Sequence, residues 1–523
     1  MHTASNRGIS LRHVALSAGL LAFLALLALA GRAQGAELLY WDNYGAAPQS
    51  IAVANGDGSG GGALNLTGVT LDDPEGMALD TVTGRLYVAS DSAGPEGKGA
   101  ILFAKLDGSG AGVFSAPGAP VDTPEGVVVD PVTRTIYWTN ADGALPSKGS
   151  IAWAKLDGSA GGTLNTAGAT LDQPYKIGLD PVNGRVYWGN NPISGVTISY
   201  ANVNNTGGGT LSLSPAPKSA YAFAVDPAGG RLYWSEGQDD RFAYTGLLGG
   251  SVSILDTSGA LTTSSYGFAI DPTLNKISWP NYDNGVDRAN GFGFASLGGG
   301  GGGNITPVTA PFDGPQDLLV LKSPTGTAAP VLTRAKKARS QLTCSAGTWA
   351  GDFAGSYVYQ APTTYAYQWT RNGSPLAGAS AASFTAKTPG KYACVVTATN
   401  QAGAASQTSA AANVKASKAK LTVKKKVTVK AGGVATFKLK VANQGDLKSK
   451  NAKACAKVPK SAKGELKAPK CKSLGKLKSG RKKSATLKIK TTPSAAGVYK
   501  VTFSVKGSAG KPVKSKIQVL PAP

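Results

Sequence analysis

Acidic and aromatic side chains recur at one register of a repeated pattern in the first 321 residues. Each lies five residues before the end of a short apolar run, and the runs are spaced 45 to 50 residues apart. Two carboxylates at a suitable separation can hydrolyse a glycosidic bond, carboxylate oxygens can hold calcium, and tyrosine rings suit a ligand with a flat face. In chain order the residues at this register are Glu75, Glu125, Tyr175, Tyr221, Tyr266 and Gln316.

The repeat that must position these residues is a unit of four strands. Its clearest copy, residues 124–159, begins with the apolar run Val127–Val129, closed by Asp130. The β-branched and aromatic residues that follow favour two more strands, and an Asp-Gly turn at Asp157 precedes a short fourth segment. Four strands every 45 to 50 residues are typical of a propeller blade.

The number of blades follows from the ends of the apolar runs. The first five runs end at Asp80, Asp130, Asp180, Asp226 and Asp271, at separations of 50, 50, 46 and 45 residues. Another 50 residues on, Leu318–Leu321 forms an inner run with no second strand after it, whereas Leu38–Asn43 is a second strand with no inner run before it. The two fragments make one unit, so we predict six blades closed by pairing of the propeller's two ends.

The second strands carry a family resemblance. Tyr137-Trp138-Thr139-Asn140 and its counterparts at 40–42, 187–190 and 233–236 resemble the YWTD repeat of the low-density-lipoprotein-receptor class, which forms a six-bladed propeller. The resemblance covers residues 37–321 but is degraded at 87–90, which lacks Trp, and at 278–281, which lacks Tyr. The receptors' cysteine-rich modules are absent, so their ligands are not carried over.

In a ring of blades, the loops leading into the inner strands crowd one mouth of the channel. Acids would form one arc of this mouth and tyrosines the other, which suits an extracellular glycan or a basic peptide. Three residues before the first register stand Asp72, Asp122, Asp172, Lys218, Thr263 and Asp313. We expect ligand contacts from the first register together with Asp72 and Asp122; stabilisation of their own turns is the alternative for the Asp72 set.

Histidine is absent once the first 36 residues are set aside, since both histidines, His2 and His13, lie there. This excludes a Ser-His-Asp triad and histidine-dependent metal or proton transfer. We therefore predict a binding protein rather than an enzyme, with no cofactor. A carboxylate-dependent, glycan-active enzyme using Glu75 and Glu125 is the alternative, and calcium at the same acids is a further one.

The segment 1–36 is typical of a secretory signal peptide. Arg7 and Arg12 precede the apolar stretch Val14–Ala30, and small residues around Ala33 and Ala36 offer a cleavage site. We expect a secreted, extracellular protein without a transmembrane segment in its mature form, with cell-wall association as a further expectation.

A different domain is predicted after a linker at 322–340. Cys344, Trp369 and Cys394 follow the Cys-Trp-Cys order of an immunoglobulin-like sandwich, and Tyr392 stands at the tyrosine-corner position. Residues 341–415 resemble immunoglobulin-like modules of secreted bacterial proteins. That resemblance, in an exported chain, implies a disulfide between Cys344 and Cys394.

Residues 416–523 are strongly basic, with 29 Lys and Arg against two acids, Asp446 and Glu465. Apolar residues alternate with Lys or Thr at period two, which predicts a second, Lys-rich β-sandwich. We expect Cys455 to pair with Cys471, with a metal site as the alternative. The charge suits an anionic cell-envelope polymer or serves solubility alone, and the scarcity of aromatics argues against specific nucleic-acid binding. The fold class is therefore all-β: a six-bladed propeller plus two β-sandwich domains.

Overall fold

The structure is a computed structural model that describes residues 36–46, 48–94, 97–141, 149–190, 195–282, 291–336 and 338–521. The predicted signal peptide lies outside these residues except for its last position. Within the described part the regular structure is β-strand, together with single turns of 3-10 helix that include Gly237–Asp239, Ala354–Ser356 and Lys460–Ala462. None of the helical segments found there has the length and apolarity needed to span a bilayer.

The chain forms two compact units. The first comprises the described residues up to Thr325 together with Trp349–Thr364 and Ala398–Ala405. The second comprises Gly326–Thr348, Tyr365–Thr397 and Ser406–Pro523 as far as these are described.

Six four-stranded blades are present among the described residues of the first unit. From the inner strand outward, blade 1 contains Pro74–Asp80, Arg85–Ser90, Ala100–Lys105 and Ala111–Phe114. Blade 2 contains Pro124–Asp130, Thr135–Asn140, Ser150–Lys155 and Gly161–Thr163. Blade 3 contains Pro174–Asp180, Arg185–Asn190, Thr197–Asn202 and Gly208–Thr210. Blade 4 contains Phe223–Asp226, Arg231–Glu236, Arg241–Gly246 and Ser253–Ile254. Blade 5 contains Ala269–Asp271, Lys276–Pro280, Phe292–Ser296 and Gly303–Ile305. Blade 6 contains Leu318–Lys322, Glu37–Asn43, Ser50–Asn55 and Gly62–Ala63. A two-stranded parallel pair beside blade 4 joins Leu213–Ser214 to Gly250–Ser251.

Blade 6 closes the ring as the sequence predicted. Its inner strand, Leu318–Lys322, pairs antiparallel with Glu37–Asn43, and Leu319 lies opposite Tyr40. The propeller's two ends therefore share one sheet, which confirms the count of six.

The repeated sequence positions explain why each blade forms. The aspartates that end the inner strands hold the following turn, as where the Val132 N–H donates to Asp130 Oδ1 over 2.9 Å. The tryptophans of the second strands are buried, and most donate their indole N–H to a loop oxygen, as Trp138 does to the Pro120 carbonyl over 3.0 Å. These positions build the hydrophobic layers of the ring.

An additional segment, Trp349–Thr364, fills the channel from the end opposite the mouth. Val358–Tyr359 pairs parallel with Leu318–Lys322. The Tyr357 hydroxyl donates to the Ile177 carbonyl over 2.5 Å, and the Tyr359 hydroxyl accepts from the Leu79 N–H over 3.2 Å. The segment thus contacts the inner strands of blades 1, 3 and 6. Sequence reasoning assigned it to residues 341–415 and gave no sign of this role; the predicted domain boundaries stay predictions.

The first β-sandwich of the second unit contains the Cys344–Cys394 disulfide. Trp369 is fully buried and stacks on Phe384 with a centroid distance of 5.4 Å. The Tyr392 hydroxyl donates to the Thr388 carbonyl over 2.7 Å, the backbone contact of a tyrosine corner. The strands that lie wholly or partly in this part of the second unit are Gly326–Ala328, Leu332–Arg334, Gln341–Cys344, Thr348–Trp349, Thr364–Arg371, Ser374–Pro375, Ser383–Thr385, Gly390–Asn400, Gly403–Thr408 and Ala412–Val414.

The basic sandwich packs two sheets around an apolar core, and a disulfide joins Cys455 to Cys471. Its four-stranded sheet contains, in spatial order, Ala419–Thr422, Val434–Asn443, Lys482–Thr491 and Leu466–Lys467. Its five-stranded sheet contains Lys426–Lys430, Val513–Leu520, Gly497–Lys506, Asn451–Lys457 and Lys472–Lys476. Alternate residues of these strands are buried, which is the predicted period-two pattern.

Candidate functional site

The loops that lead into the inner strands build the mouth. Asp73, Thr123 and Gln173 stand immediately before the prolines that begin the first three inner strands and have φ between 47° and 48°. One position earlier, the side chain that ends the blade's second strand accepts the backbone N–H, as Asn140 Oδ1 does from Asp122 over 3.0 Å. Each loop is therefore held at two successive residues, and the residue two positions after the positive-φ position reaches the centre of the ring.

Glu75 is the hub of the acidic half of the mouth. Only 7% exposed, it accepts hydrogen bonds from Gln316 Nε2 (3.0 Å), the Tyr175 hydroxyl (3.3 Å) and Lys176 Nζ (2.9 Å). Lys176 Nζ also donates to the backbone carbonyls of Glu75 and Glu125. Burial disfavours the ammonium, but the Glu75 and Glu125 carboxylates outweigh it and raise the pKa of Lys176. Glu75 is thus the acceptor of an internal ion pair.

Two acids beside this ion pair have unsatisfied oxygens. Burial, followed by the nearby Glu75 carboxylate, holds the pKa of Glu125 well above its usual range. Burial and the charges of Glu75 and Asp73 raise the pKa of Asp91 to about 6. Glu125 Oε2 and Asp91 Oδ1 are both buried and have no hydrogen-bond partner among the described residues. A ligand group that donates hydrogen bonds or carries positive charge would satisfy them.

Five tyrosines line the other half of the mouth. The rings of Tyr175 and Tyr221 lie 5.5 Å apart, Tyr221 and Tyr266 5.4 Å, and Tyr266 and Tyr282 5.3 Å, all edge to face. Tyr44 continues the series 6.4 Å from Tyr282. All five side chains are half-buried. Together they form an aromatic surface, the tyrosine arc, with ring area open to solvent.

Directly beneath the mouth, Lys176 and Asp317 stand on opposite blades. Asp317 Oδ2 accepts from the Met77 N–H over 2.6 Å, and burial raises the pKa of Asp317 to about 6. A cavity of about 10 Å³ between Lys176, Asp317, Tyr266 and Tyr357 has room for at most one water molecule. The channel is therefore filled rather than open. The other four blades place small residues at this level: Gly76, Gly126, Ala222 and Gly267.

Asp72 and Asp122, the two other predicted ligand residues, have a structural role through their backbone. The Asp72 N–H donates to Ser90 Oγ over 3.1 Å, the equivalent of the Asp122 contact with Asn140. The Asp72 side chain is exposed and that of Asp122 is half-buried. These contacts involve the backbone alone, so turn stabilisation and ligand binding by the two carboxylates both stay predictions.

The part of the chain that the structure describes contains no cluster of side chains arranged to bind a metal ion. No group of three or more His, Cys, Asp or Glu residues there could hold an ion. The disulfide, not a metal, occupies Cys455 and Cys471.

Sequence reasoning missed Lys176, Asp91, Tyr44 and Tyr282. A signal for Lys176 was present, because the position after the Glu75 register reads Gly, Gly, Lys, Ala, Gly, Asp around the ring. Two large charged residues among small ones mark a specific contact across the channel. Tyr44 and Tyr282 follow the second strands, outside the register that was compared.

The similarities found between this chain and known proteins are to solved structures. No protein-family model matches the chain, and no curated protein matches it. The chain is similar to one in the crystal structure of a nidogen/laminin complex, with 16% identity, a TM-score of 0.42 and coverage of 55% of this chain and 98% of that one. It is also similar to a protein from Lactobacillus plantarum, with 14% identity, a TM-score of 0.35 and coverage of 55% and 99%. The fold assignment rests on the strand pairing described above.

Proposed function

We propose that this chain is a secreted binding protein, related in its motifs to YWTD propellers, whose mouth binds a basic peptide segment. The observation that carries the proposal is the tyrosine arc beside two acids with unsatisfied, buried oxygens, Glu125 and Asp91. A ligand ammonium or guanidinium would pair with these carboxyls while its stem lies on tyrosine rings.

Charge favours a basic peptide over a neutral glycan. Lys176 is the cation of the cluster and is engaged by Glu75, which leaves Glu125, Asp91 and Asp73 without a full counter-charge. Burial, and after it the charges of neighbouring carboxylates, raises the pKa of Glu125 and Asp91, and a positively charged group would oppose both effects. A sugar would satisfy the hydrogen bonds only.

The test is binding of the full secreted chain to peptide and glycan arrays, with matched tyrosine variants. Tyr221→Ala/Tyr266→Ala removes two rings of the arc. Tyr200→Ala/Tyr244→Ala removes two half-buried rings from third strands, where they lie under Arg185 and Arg231. We expect basic peptides to bind the parent and the second variant but not the first. Equal binding by both variants, or binding of neutral glycans only, contradicts the proposal.

A glycan-active enzyme is the second candidate, because one observation favours it. Glu125, with its raised pKa, is suited to donate a proton, while Glu75 forms an ion pair with Lys176. Against it, Glu75 is buried and already accepts three side-chain hydrogen bonds, so it is poorly placed to attack a sugar. Hydrolysis of any glycan that Glu125→Gln abolishes would establish the enzyme.

The basic sandwich supports a second part of the proposal, attachment to an anionic cell envelope. Its two acids are already engaged: Asp446 pairs with Arg334 at 3.2 Å, and Glu465 accepts from the Tyr499 hydroxyl. Nearly all of its cations therefore remain available to an external polyanion. We expect protein bound to cells at low salt to elute steeply as salt rises. Retention independent of salt contradicts electrostatic attachment.

A further inference from the structure

Three lysines stand side by side across the five-stranded sheet of the basic sandwich. Lys516 on the second strand lies directly opposite Lys426 on one side and Lys500 on the other. All three side chains are exposed, while the alternate positions Ile517 and Val501 are buried in the core. Direct cross-strand partners project from the same face of a sheet. With strands about 4.8 Å apart, this lysine row spans about 10 Å.

The lysine row costs stability that nothing in the domain offsets. Like charges directly opposite on neighbouring strands repel one another. Among the described residues no carboxylate pairs with any of the three, since Asp446 and Glu465 are engaged elsewhere. The same face continues the charge, with Lys453 opposite Lys506 and Lys514 next along the strand from Lys516.

The other sheet of the same sandwich shows that lysines can be placed without this repulsion. Lys440 lies between Thr422 and Ser484. Lys438 lies opposite Thr486, and Lys488 lies opposite Thr436. The direct lysine pair found there, Lys467 with Lys490, is at the sheet's last strand. Solubility needs only the spaced arrangement, so the unspaced row on the five-stranded sheet requires another reason.

We propose that the outer face of the five-stranded sheet, centred on the lysine row, binds a linear phosphate-bearing polyanion. The row runs across the strands, and Lys514 and Lys516 lie about 7 Å apart along one strand. Positive charge therefore extends in two directions on a flat surface. An extended chain of anionic groups can neutralise adjacent lysines together and release their counterions. This inference rests on the proposed attachment role of the basic sandwich and identifies the surface that performs it.

Two matched single variants of the full chain test the surface. Lys516→Glu places an acid between Lys426 and Lys500. Lys440→Glu makes the same charge change on an inner strand of the other sheet, where the neighbours on the adjacent strands are Thr422 and Ser484. The probe is long-chain polyphosphate, with single-stranded DNA as a second arm. We expect Lys516→Glu to weaken polyphosphate binding at low salt by about tenfold and Lys440→Glu by less than about threefold.

Salt dependence and thermal unfolding supply independent readouts. Affinity falls as salt rises, and the steepness of log affinity against log salt reports the number of phosphate contacts. In Lys426→Gln/Lys500→Gln/Lys516→Gln, which removes the row, this steepness should decrease by about 2 to 3. In the control Lys438→Gln/Lys440→Gln/Lys488→Gln it should decrease by about 0 to 1. The first variant should also melt at a higher temperature than the parent at low salt, because the repulsion is gone. That result shows that the variant folds.

The outcomes separate the surface from the attachment role. Weaker polyphosphate binding that is confined to the variants of the lysine row supports the inference. Equal loss in both sets, or in neither, overturns the assignment to this face while polyphosphate binding by the parent leaves attachment standing. No binding of polyphosphate by the parent overturns the proposed ligand, whereas the attachment role is tested separately by salt-dependent elution from cells. Binding of single-stranded DNA without binding of polyphosphate overturns recognition of the phosphate chain itself, because both probes carry linear phosphates.

Discussion

The Asp313 N–H donates to Asn43 Oδ1 over 2.9 Å, joining residues 270 positions apart in the chain. In the other blades the equivalent bond joins residues only 18 apart, as between Asp172 and Asn190 Oδ1 (2.9 Å). Asn43 is fully buried and also receives the Trp41 indole N–H over 3.2 Å and donates to Ser50 Oγ over 3.1 Å. A contact that is local elsewhere in the ring therefore closes it at blade 6.

Asn43→Ala should destabilise the protein because the Asp313 N–H loses its acceptor and Ser50 Oγ loses its donor, while the Trp41 indole keeps its bond to the Pro311 carbonyl. Each buried unsatisfied group costs about 1–3 kcal/mol, so we expect a loss of about 2–4 kcal/mol in chemical denaturation, with faster hydrogen exchange in Glu37–Asn43. Asn55→Ala, which removes an exposed bond to Ser59, is the control and should cost less than about 1 kcal/mol. Equal losses would show that Asn43 has no special role in closure.

Closure of the ring was predictable because it depends on counting strands. The blade count, the inner strands and the turn role of residues such as Asp130 all follow from local patterns that repeat. Lys176 was not predicted, because its partner Glu75 lies 101 residues away on a blade that is not its neighbour. The channel-filling contacts of Tyr357 also escaped prediction, since they join a turn to inner strands with which it shares no pattern. The repeats predict the contacts within each blade, whereas the contacts at the centre of the ring join different blades and do not repeat.

Lys176→Met should destabilise the protein because it leaves the Glu75 carboxylate buried without its ion-pair partner. Removing one partner of a buried ion pair costs about 3–5 kcal/mol. The double variant Lys176→Met/Glu75→Gln should recover part of this loss, because no charge is then left unpaired. Chemical denaturation of the four proteins in this cycle measures the coupling. Additive losses would mean that the 2.9 Å contact between Nζ and Oε2 contributes nothing as a pair.

Stability should fall with rising pH through the titration of Asp91. Burial and nearby acids raise its pKa in the folded protein to about 6 from 3.8, so between about pH 4 and 6 the folded state holds more protons than the unfolded state. By linkage, the free energy of unfolding decreases over that window. Asp91→Asn should remove this contribution and exceed the parent's stability by about 1 kcal/mol at pH 7, allowing for solvent screening, but not at pH 4. Asp172→Asn, in the loop that leads into the inner strand of blade 3, is the control. An unchanged pH profile in Asp91→Asn would contradict the assignment.

Two glycines of the channel-filling segment Trp349–Thr364 offer a matched test of its seating. A Cβ on Gly355 would lie 1.8 Å from the Leu179 carbonyl oxygen of blade 3, closer than atoms can approach, whereas a Cβ on Gly351 would meet nothing within 4 Å. Gly355→Ala must therefore displace the segment, and with it the contacts of Tyr357 and Tyr359. We expect a loss of about 3 kcal/mol or more in chemical denaturation.

Limited proteolysis distinguishes displacement of the segment from general destabilisation. In Gly355→Ala, cleavage within Trp349–Thr364 should appear before cleavage of the blades, because the buried residues around Tyr357 become accessible. Gly351→Ala should resist protease like the parent and differ from it in stability by less than about 1 kcal/mol, since alanine fits there without strain and restricts the unfolded chain. If the two alanine variants behave alike, the segment is not seated against blade 3 in solution. If Gly355→Ala alone opens it, the channel of this propeller is closed by a part of the chain that follows the last blade.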